Sequence, residues 1–430
     1  MSWTRSFLDR YLRIPSVSAQ GTGIRDSVTL LLGVFTELGF DARVVETTGN
    51  PVVCAEKKTP GARKTLLVYN HYDVQPPDPL DEWRSPPWEP VERDGRLYAR
   101  GVADNKANLA VRLGAVRDLG DRLPVNLKFT VEGEEEVGSP SLAGFVAAQR
   151  DWLQADGCLW ETGGRDEHGT PDVICGVKGI LHAEATCRGT ARDLHSSVGV
   201  AVPSAAWTLV HALAGLRAPD GTVTLPGFYE RVRRPGGADL AALDAMPYDE
   251  EKRREAYGIA GFLGGLCGPD LKEALVFRPT ININGLTSGY QGKGSKTVLP
   301  KSASVKFDVR LVPDMDPAEI REKLRAYFRP FGIELSDAHG YPPARTAVDD
   351  PLVRAAAEAA REAWGRDPFL LPLMPASGPM YLYRALMPCV SFGTGDPASA
   401  IHAPNESVAL SALDAGRAHV AAFLTRVAAL

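Results

Sequence analysis

The chain has 430 residues, 44% hydrophobic and 23% charged, with 48 basic against 53 acidic side chains and a formal net charge of -5. That length exceeds one ordinary core, so two domains are expected, and the basic excess that a nucleic-acid partner requires is missing. No run approaches the roughly 18 apolar residues of a membrane span, so no membrane partner is expected either.

The opening segment MSWTRSFLDRYLRIPSVS lacks the apolar centre of a secretory signal. It reads as an amphipathic helix over 3–13, and a second helix over 25–38 ends at Gly39. Strands are expected at 42–46, 51–56 and 65–70. A loop rich in proline and tryptophan then runs from Pro76 to Pro90, and RDGRLYARG reads as a hairpin around its Asp-Gly turn. A helix at 105–119, the strand LKFTV at 127–131 and a helix at 139–151 follow an α/β rhythm. Near residue 178 the pattern changes. ILHAEATCRG and SASVKFDVRLV alternate like half-exposed antiparallel strands, a helix is expected at 203–216, and DPAEIREKLRAYF is a capped amphipathic helix. From about 346 the buried pattern returns, as an alanine-rich helix and the strand PCVSFG. The expected fold is α/β: a mixed-sheet catalytic domain with helices on both faces (1–179 and 346–430) around an inserted α+β, ferredoxin-like domain (180–345). The six cysteines, Cys54, Cys158, Cys175, Cys187, Cys267 and Cys389, form no CxxC pair. A reduced, cytoplasmic setting is therefore expected.

Ligands of open α/β sheets sit at the carboxyl ends of the strands. The polar groups that follow apolar runs are His71 and Asp73 after TLLVY, Asp104 after LYARGVA, Glu134–Glu136 after LKFTV, Glu161 after GCLW, and His402 beyond PCVSFG. Each has a bland reading: a strand-end histidine is more often structural, an acidic run favours a helix N-terminus, and Asp104 could cap the next helix. Their joint placement at several strand ends favours a metal centre. Imidazoles and carboxylates without thiolate suit zinc, manganese or cobalt, and two histidines with several carboxylates suit two ions sharing a bridge.

The runs NHYDVQP, EWRSPPWEPVERDGRLYARGVADNKA and EGEEEVGS, with DLHSS, PTININGL, SKTVLP, RLVP and HAPNE, resemble a di-zinc metallopeptidase family. That family includes carnosinase, the cytosolic non-specific dipeptidase, carboxypeptidase G, aminoacylase and the acetylornithine and succinyl-diaminopimelate deacylases. HYDVQP with KTVLP and RLVP looks most like its dipeptidase branch. The resemblance implies that His71 and Glu161 hold one divalent metal and Glu136 and His402 the other, with Asp104 bridging and followed by a cis peptide. Asp73 would bond the far nitrogen of His71 and fix its tautomer. Glu135 would be the general base; the EEE run alone leaves the register ambiguous, and Gly138–Ser139 settles it. His195 of DLHSS would reach a partner subunit's site, implying a homodimer through the inserted domain. Arg310 would anchor a substrate carboxylate, assisted by Thr297 and Ser377. ASGPM departs from the usual glycine-rich loop at Ser377, and Ala99, Ala107 and Ser197 stand where the family commonly has glycine.

The implied function is a metal-dependent exopeptidase cleaving dipeptides or short peptides. The alternatives are an N-acyl-amino-acid deacylase on the same site and an inactive metal-binding scaffold.

Overall fold

The computed structural model describes residues 2–336 and 339–430. An eight-stranded sheet runs in the order Asp41–Val45, Val52–Lys57, Asn126–Glu132, Thr65–His71, Gly157–Trp160, Cys389–Ser391, Asp172–Ile174 and Phe369–Leu371. Its four central strands, from Asn126–Glu132 to Cys389–Ser391, are mutually parallel. The two strands before them pair antiparallel. Parallel strands are buried on both faces and read as continuous apolar runs, which is why TLLVY carries no alternation. Leu66 and Val68 enter one core with the helices Trp3–Leu12, Ile24–Glu37, Ala107–Leu119, Pro351–Trp364 and Leu410–Val427. Leu67 and Tyr69 enter a second core with Leu142–Ala148 and Met380–Arg384. All four central strands point their carboxyl ends to one edge, the edge from which His71, Glu132, Glu161 and the loop to His402 emerge.

The second sheet is built on the long strand Gly176–Arg188. On one side it pairs with Ser302–Leu311, which pairs in turn with Thr280–Ser288. On the other side it takes Ile333–Leu335, His339–Tyr341 and Ala344–Arg345. Leu181, Ala183, Val305, Phe307 and Val309 face the helices Ala205–Ala214 and Pro317–Phe328. Met374–Ser377, far along the chain, also pairs with Gly176–Arg188. Residues from both sides of the inserted segment thus contribute to the second sheet.

The elements depart from expectation where local chemistry interrupts a pattern. Instead of one helix at 139–151, the helices Leu142–Ala148 and Arg150–Leu153 form. Gly138 and Ser139 both have positive φ, and Pro140 disfavours helix in the residue before it. The helix expected from 105 begins at Ala107, because Asp104 is extended. Phe369–Leu371, Met374–Ser377 and Ser407–Ala409 were not expected as strands; each is three or four residues long and exists only through its partner.

Candidate active site

The strand Thr65–His71 delivers a fully buried imidazole to the sheet's carboxyl edge. His71 Nε2 lies 3.0 Å from Asp104 Oδ1 and 3.7 Å from Glu161 Oε2. Across the same aspartate, His402 Nε2 lies 3.2 Å from Asp104 Oδ2 and 3.1 Å from Glu136 Oε2. The five expected metal ligands therefore come together as two imidazole–carboxylate sets sharing Asp104, one oxygen to each histidine. The Asp104–Asn105 peptide is cis.

The far nitrogen of His71 faces Asp73, as expected: Nδ1 lies 3.4 Å from the carboxylate and 3.0 Å from the backbone carbonyl. Both partners accept, so Nδ1 carries the proton and Nε2 is left free to ligate. The Asp73 carboxylate also accepts the backbone N–H groups of Glu135 (3.2 Å) and Glu136 (3.0 Å). It ties the acidic turn to the strand bearing His71.

That turn separates the three glutamates. The Glu134 carboxylate fills the space left by the absent side chain of Gly49. Glu136 faces His402, held also by Gln75 Nε2 at 3.0 Å. Glu135 is left to the cleft, where burial and then the charges of Asp104, Glu136 and Asp73 push its pKa up to about 8, against the opposing pull of His71. Burial also raises Glu161 well above the usual carboxylate range, with Glu135 adding to it.

These residues fit divalent cations. Glu161 Oε2 is buried with no hydrogen-bond partner among the described residues, and a buried orphan acceptor costs about 1–3 kcal/mol or more. Three carboxylates crowd two imidazoles with no thiolate, which is donor chemistry for zinc, manganese or cobalt. His71, Asp104 and Glu136 each offer an atom within 4.8 Å of the others.

The expected substrate residues fall into two groups. Arg310 Nη1 donates to Ser377 Oγ at 3.0 Å, and Arg310 Nε lies 3.4 Å from Asp308. His195 and Thr297 form the other group, on the exposed pair Leu194–His195 and Val298–Leu299. His195 Nε2 is 3.3 Å from Thr297 Oγ1, and its Nδ1 is 2.8 Å from Ser197 Oγ. Among the described residues, neither His195 nor Thr297 hydrogen-bonds to Arg310 or to a residue of the metal-type cluster.

Two residues that serve the site were given no role by the sequence reading, although Glu406 closes the HAPNE run. Glu406 is buried and accepts from the backbone N–H groups of Gly101 (2.7 Å), Ala103 (2.8 Å) and Asp104 (3.1 Å), and from Arg100 Nη1 at 2.6 Å. Arg112, also buried, donates to the Tyr69 carbonyl and Asn70 Oδ1, and to the carbonyls of Trp160, Glu161 and Phe392. One guanidinium thus fastens the ends of three parallel strands. Both signals were legible only as charges in apolar surroundings.

Peptidase family M20/M25/M40 matches residues 67–426, and the chain belongs to it as a metallopeptidase. A Cys-Gly metallodipeptidase of Schizosaccharomyces pombe is 30% identical over 344 residues, covering 74% of this chain and 71% of the relative. A Beta-Ala-His dipeptidase of Homo sapiens is 29% identical over 346 residues, covering 75% and 66%. The crystal structure of an M20 family metallo-carboxypeptidase, Sso-CP2 from Sulfolobus solfataricus, is similar with a TM-score of 0.92 at 35% identity, covering 100% of both chains.

Proposed function

We propose that this metallopeptidase is an exopeptidase that removes the C-terminal residue of dipeptides and short peptides. The observation that carries this reading is the Arg310–Ser377 pair. It is a guanidinium oriented by Asp308 and a hydroxyl, on the second sheet. A planar fork of this kind matches a free carboxylate with two parallel bonds. Such an anchor selects a chain end rather than an internal peptide bond. Support comes from the similarity to dipeptidases and to a metallo-carboxypeptidase, activities that release a residue with a free carboxylate.

His71 and Glu161 would hold one divalent ion, Glu136 and His402 the other, and Asp104 both. When bound, such ions polarise a carbonyl and acidify water. Zinc fits first, with manganese or cobalt as alternatives. Among the described residues the Glu135 carboxylate makes no hydrogen bond or ion pair, and it is not one of the ligands named above. It takes the proton of the attacking water and returns it to the leaving amine. Arg310 and Ser377 hold the terminal carboxylate and set the register of the scissile bond.

His195 and Thr297 lie on an exposed surface and serve the site of a second copy. The helix Ala205–Ala214 and the edge strand Thr280–Ser288 expose Trp207 (64%), Ile283 (55%) and Leu286 (53%). Aromatic and aliphatic exposure of this kind marks an interface between copies, and a homodimer through the inserted domain is the assembly we propose.

The test is a panel of dipeptides, tripeptides, N-blocked peptides and N-acyl-amino acids. Each is offered to chelator-stripped protein with zinc, manganese or cobalt restored. Metal-dependent cleavage of free dipeptides supports the dipeptidase form. Cleavage of N-blocked longer peptides moves the protein to the carboxypeptidase form, which the 35% identity to Sso-CP2 favours as the second reading. Turnover of acyl-amino acids alone defeats both in favour of a deacylase.

A further inference from the structure

Tyr341 has no role in the reading above, yet its position is shared with the carboxylate anchor. In the second sheet Ile180 is paired on one side with Arg310 and on the other with Tyr341. Directly paired residues project from the same face of a sheet. The opposite face, carrying Leu181 and Val309, is packed into the helix-covered core. Arg310 and Tyr341 therefore flank Ile180 on the face opposite that core, about 10 Å apart at the backbone from two strand spacings.

The Tyr341 ring is held in place. It lies nearly parallel to Tyr381, at 11° with centroids 6.0 Å apart. Tyr381 sits four residues beyond Ser377, so the segment that presents Ser377 to Arg310 also buttresses Tyr341. The ring is half-buried, and among the described residues its hydroxyl makes no hydrogen bond. The charges of Glu135 and Glu161 act on that hydroxyl to raise its pKa, and Arg310 acts to lower it. Burial first, then the Glu135 charge, push its pKa up to about 12. The phenol stays protonated, and a donor, throughout the neutral range.

We propose that Tyr341 contacts the substrate. Its hydroxyl donates to a peptide oxygen lying between the metal-type cluster and Arg310. This rests on the exopeptidase reading, because only that reading places a peptide across the gap. The acceptor is either the scissile carbonyl, where negative charge develops, or the terminal carboxylate already held by Arg310. Both are oxygen acceptors, and the kinetics separate them.

The experiment is Tyr341→Phe, assayed with the best dipeptide from the panel on metal-replete enzyme. The substitution keeps the ring and its packing on Tyr381 and removes a hydroxyl that has no hydrogen-bond partner among the described residues. The thermal midpoint is expected to be unchanged, while kcat/KM falls about tenfold or more, the scale of one lost hydrogen bond to a charged group. A fall confined to kcat assigns the scissile carbonyl; a rise confined to KM assigns the carboxylate. A second readout is calorimetric binding of the uncleaved dipeptide to Glu135→Ala protein, with and without Tyr341→Phe. Weaker binding accompanies the carboxylate assignment. Values of kcat and KM within twofold of wild type, with unchanged binding, overturn the role of Tyr341 and leave the exopeptidase reading intact. A wild-type enzyme that cleaves no peptide removes both.

Discussion

Glu406 carries no chemistry of its own, yet the bridging aspartate depends on it. Its carboxylate gathers three backbone donors, those of Gly101, Ala103 and Asp104, from the loop that ends in Asp104, and its charge is balanced by the buried Arg100. Removing one partner of a buried pair leaves the other uncompensated, at about 3–5 kcal/mol. Glu406→Ala is expected to destabilise the protein by that amount in urea unfolding, and to weaken zinc retention in competition with a chelator. Unchanged stability would mean that water takes over the Arg100 guanidinium. Arg310 is the contrasting case, a residue whose loss is felt only with substrate. Arg310→Ala is expected to raise KM for a dipeptide about 30-fold or more, from a lost charge-assisted bidentate bond, with the unfolding midpoint nearly unchanged. Arg310→Lys restores little, since an ammonium cannot present the fork. An unaltered KM in Arg310→Ala would sink the carboxylate anchor. The candidate ligands were legible at this scale because each follows an apolar run, and strand ends are where open sheets present polar groups. Glu406 was not: it acts on backbone groups about 300 residues away. The second contact of the Asp73 carboxylate, with the amides of the acidic turn, was not legible either, because it depends on where the chain folds back.

Among the elements, the pairing of the helices Pro351–Trp364 and Leu410–Val427 has a pH-dependent component. His419 is buried between them. Its Nε2 donates to the Ala356 carbonyl at 3.0 Å, its Nδ1 accepts from Trp364 Nε1 at 3.3 Å, and its ring stacks on Phe392 at 3.7 Å. That geometry needs the neutral imidazole, and burial lowers its pKa to about 4. Unfolded histidine titrates near 6.5, so the unfolded chain takes up a proton first. The contribution of His419 is complete above pH 6.5 and is lost progressively as pH falls toward 4. At pH 5 the loss is about 2 kcal/mol relative to pH 7. His419→Gln is expected to flatten the stability profile between those values by that amount, measured as urea midpoints of both proteins at pH 7 and pH 5. Parallel profiles would show that the imidazole is protonated in the fold. The long elements here were readable from the 3.6-residue period of their apolar faces. Short strands such as Phe369–Leu371 and Ser407–Ala409 were not, because three residues carry no period and pairing alone makes them strands.

For the whole molecule the question is how many copies complete one site. Arg310 and Ser377 stand together, whereas His195 and Thr297 face outward on their own small sheet. Light scattering is expected to give the mass of a dimer. Ile283→Asp, which puts a charge into the exposed apolar edge, is expected to give a folded monomer with turnover reduced at least tenfold, since general-acid or oxyanion groups are typically worth 10²–10³-fold. A monomer with full activity would end the in-trans role of His195.

The sequence by itself determined the class of chemistry and the layered α/β plan. Residue type, apolar periodicity and the position of polar groups after buried runs are local properties, and they already confine imidazoles and carboxylates to one edge of one sheet. Tertiary structure decided the pairings. Asp104 stands between His71 and His402, which are more than 300 residues apart; Glu135 is left free while Glu134 is spent on Gly49; and Tyr341 stands level with Arg310 across Ile180. Such pairings follow from strand order and register. Those are set by the packing of the whole chain, and no short stretch of sequence contains them.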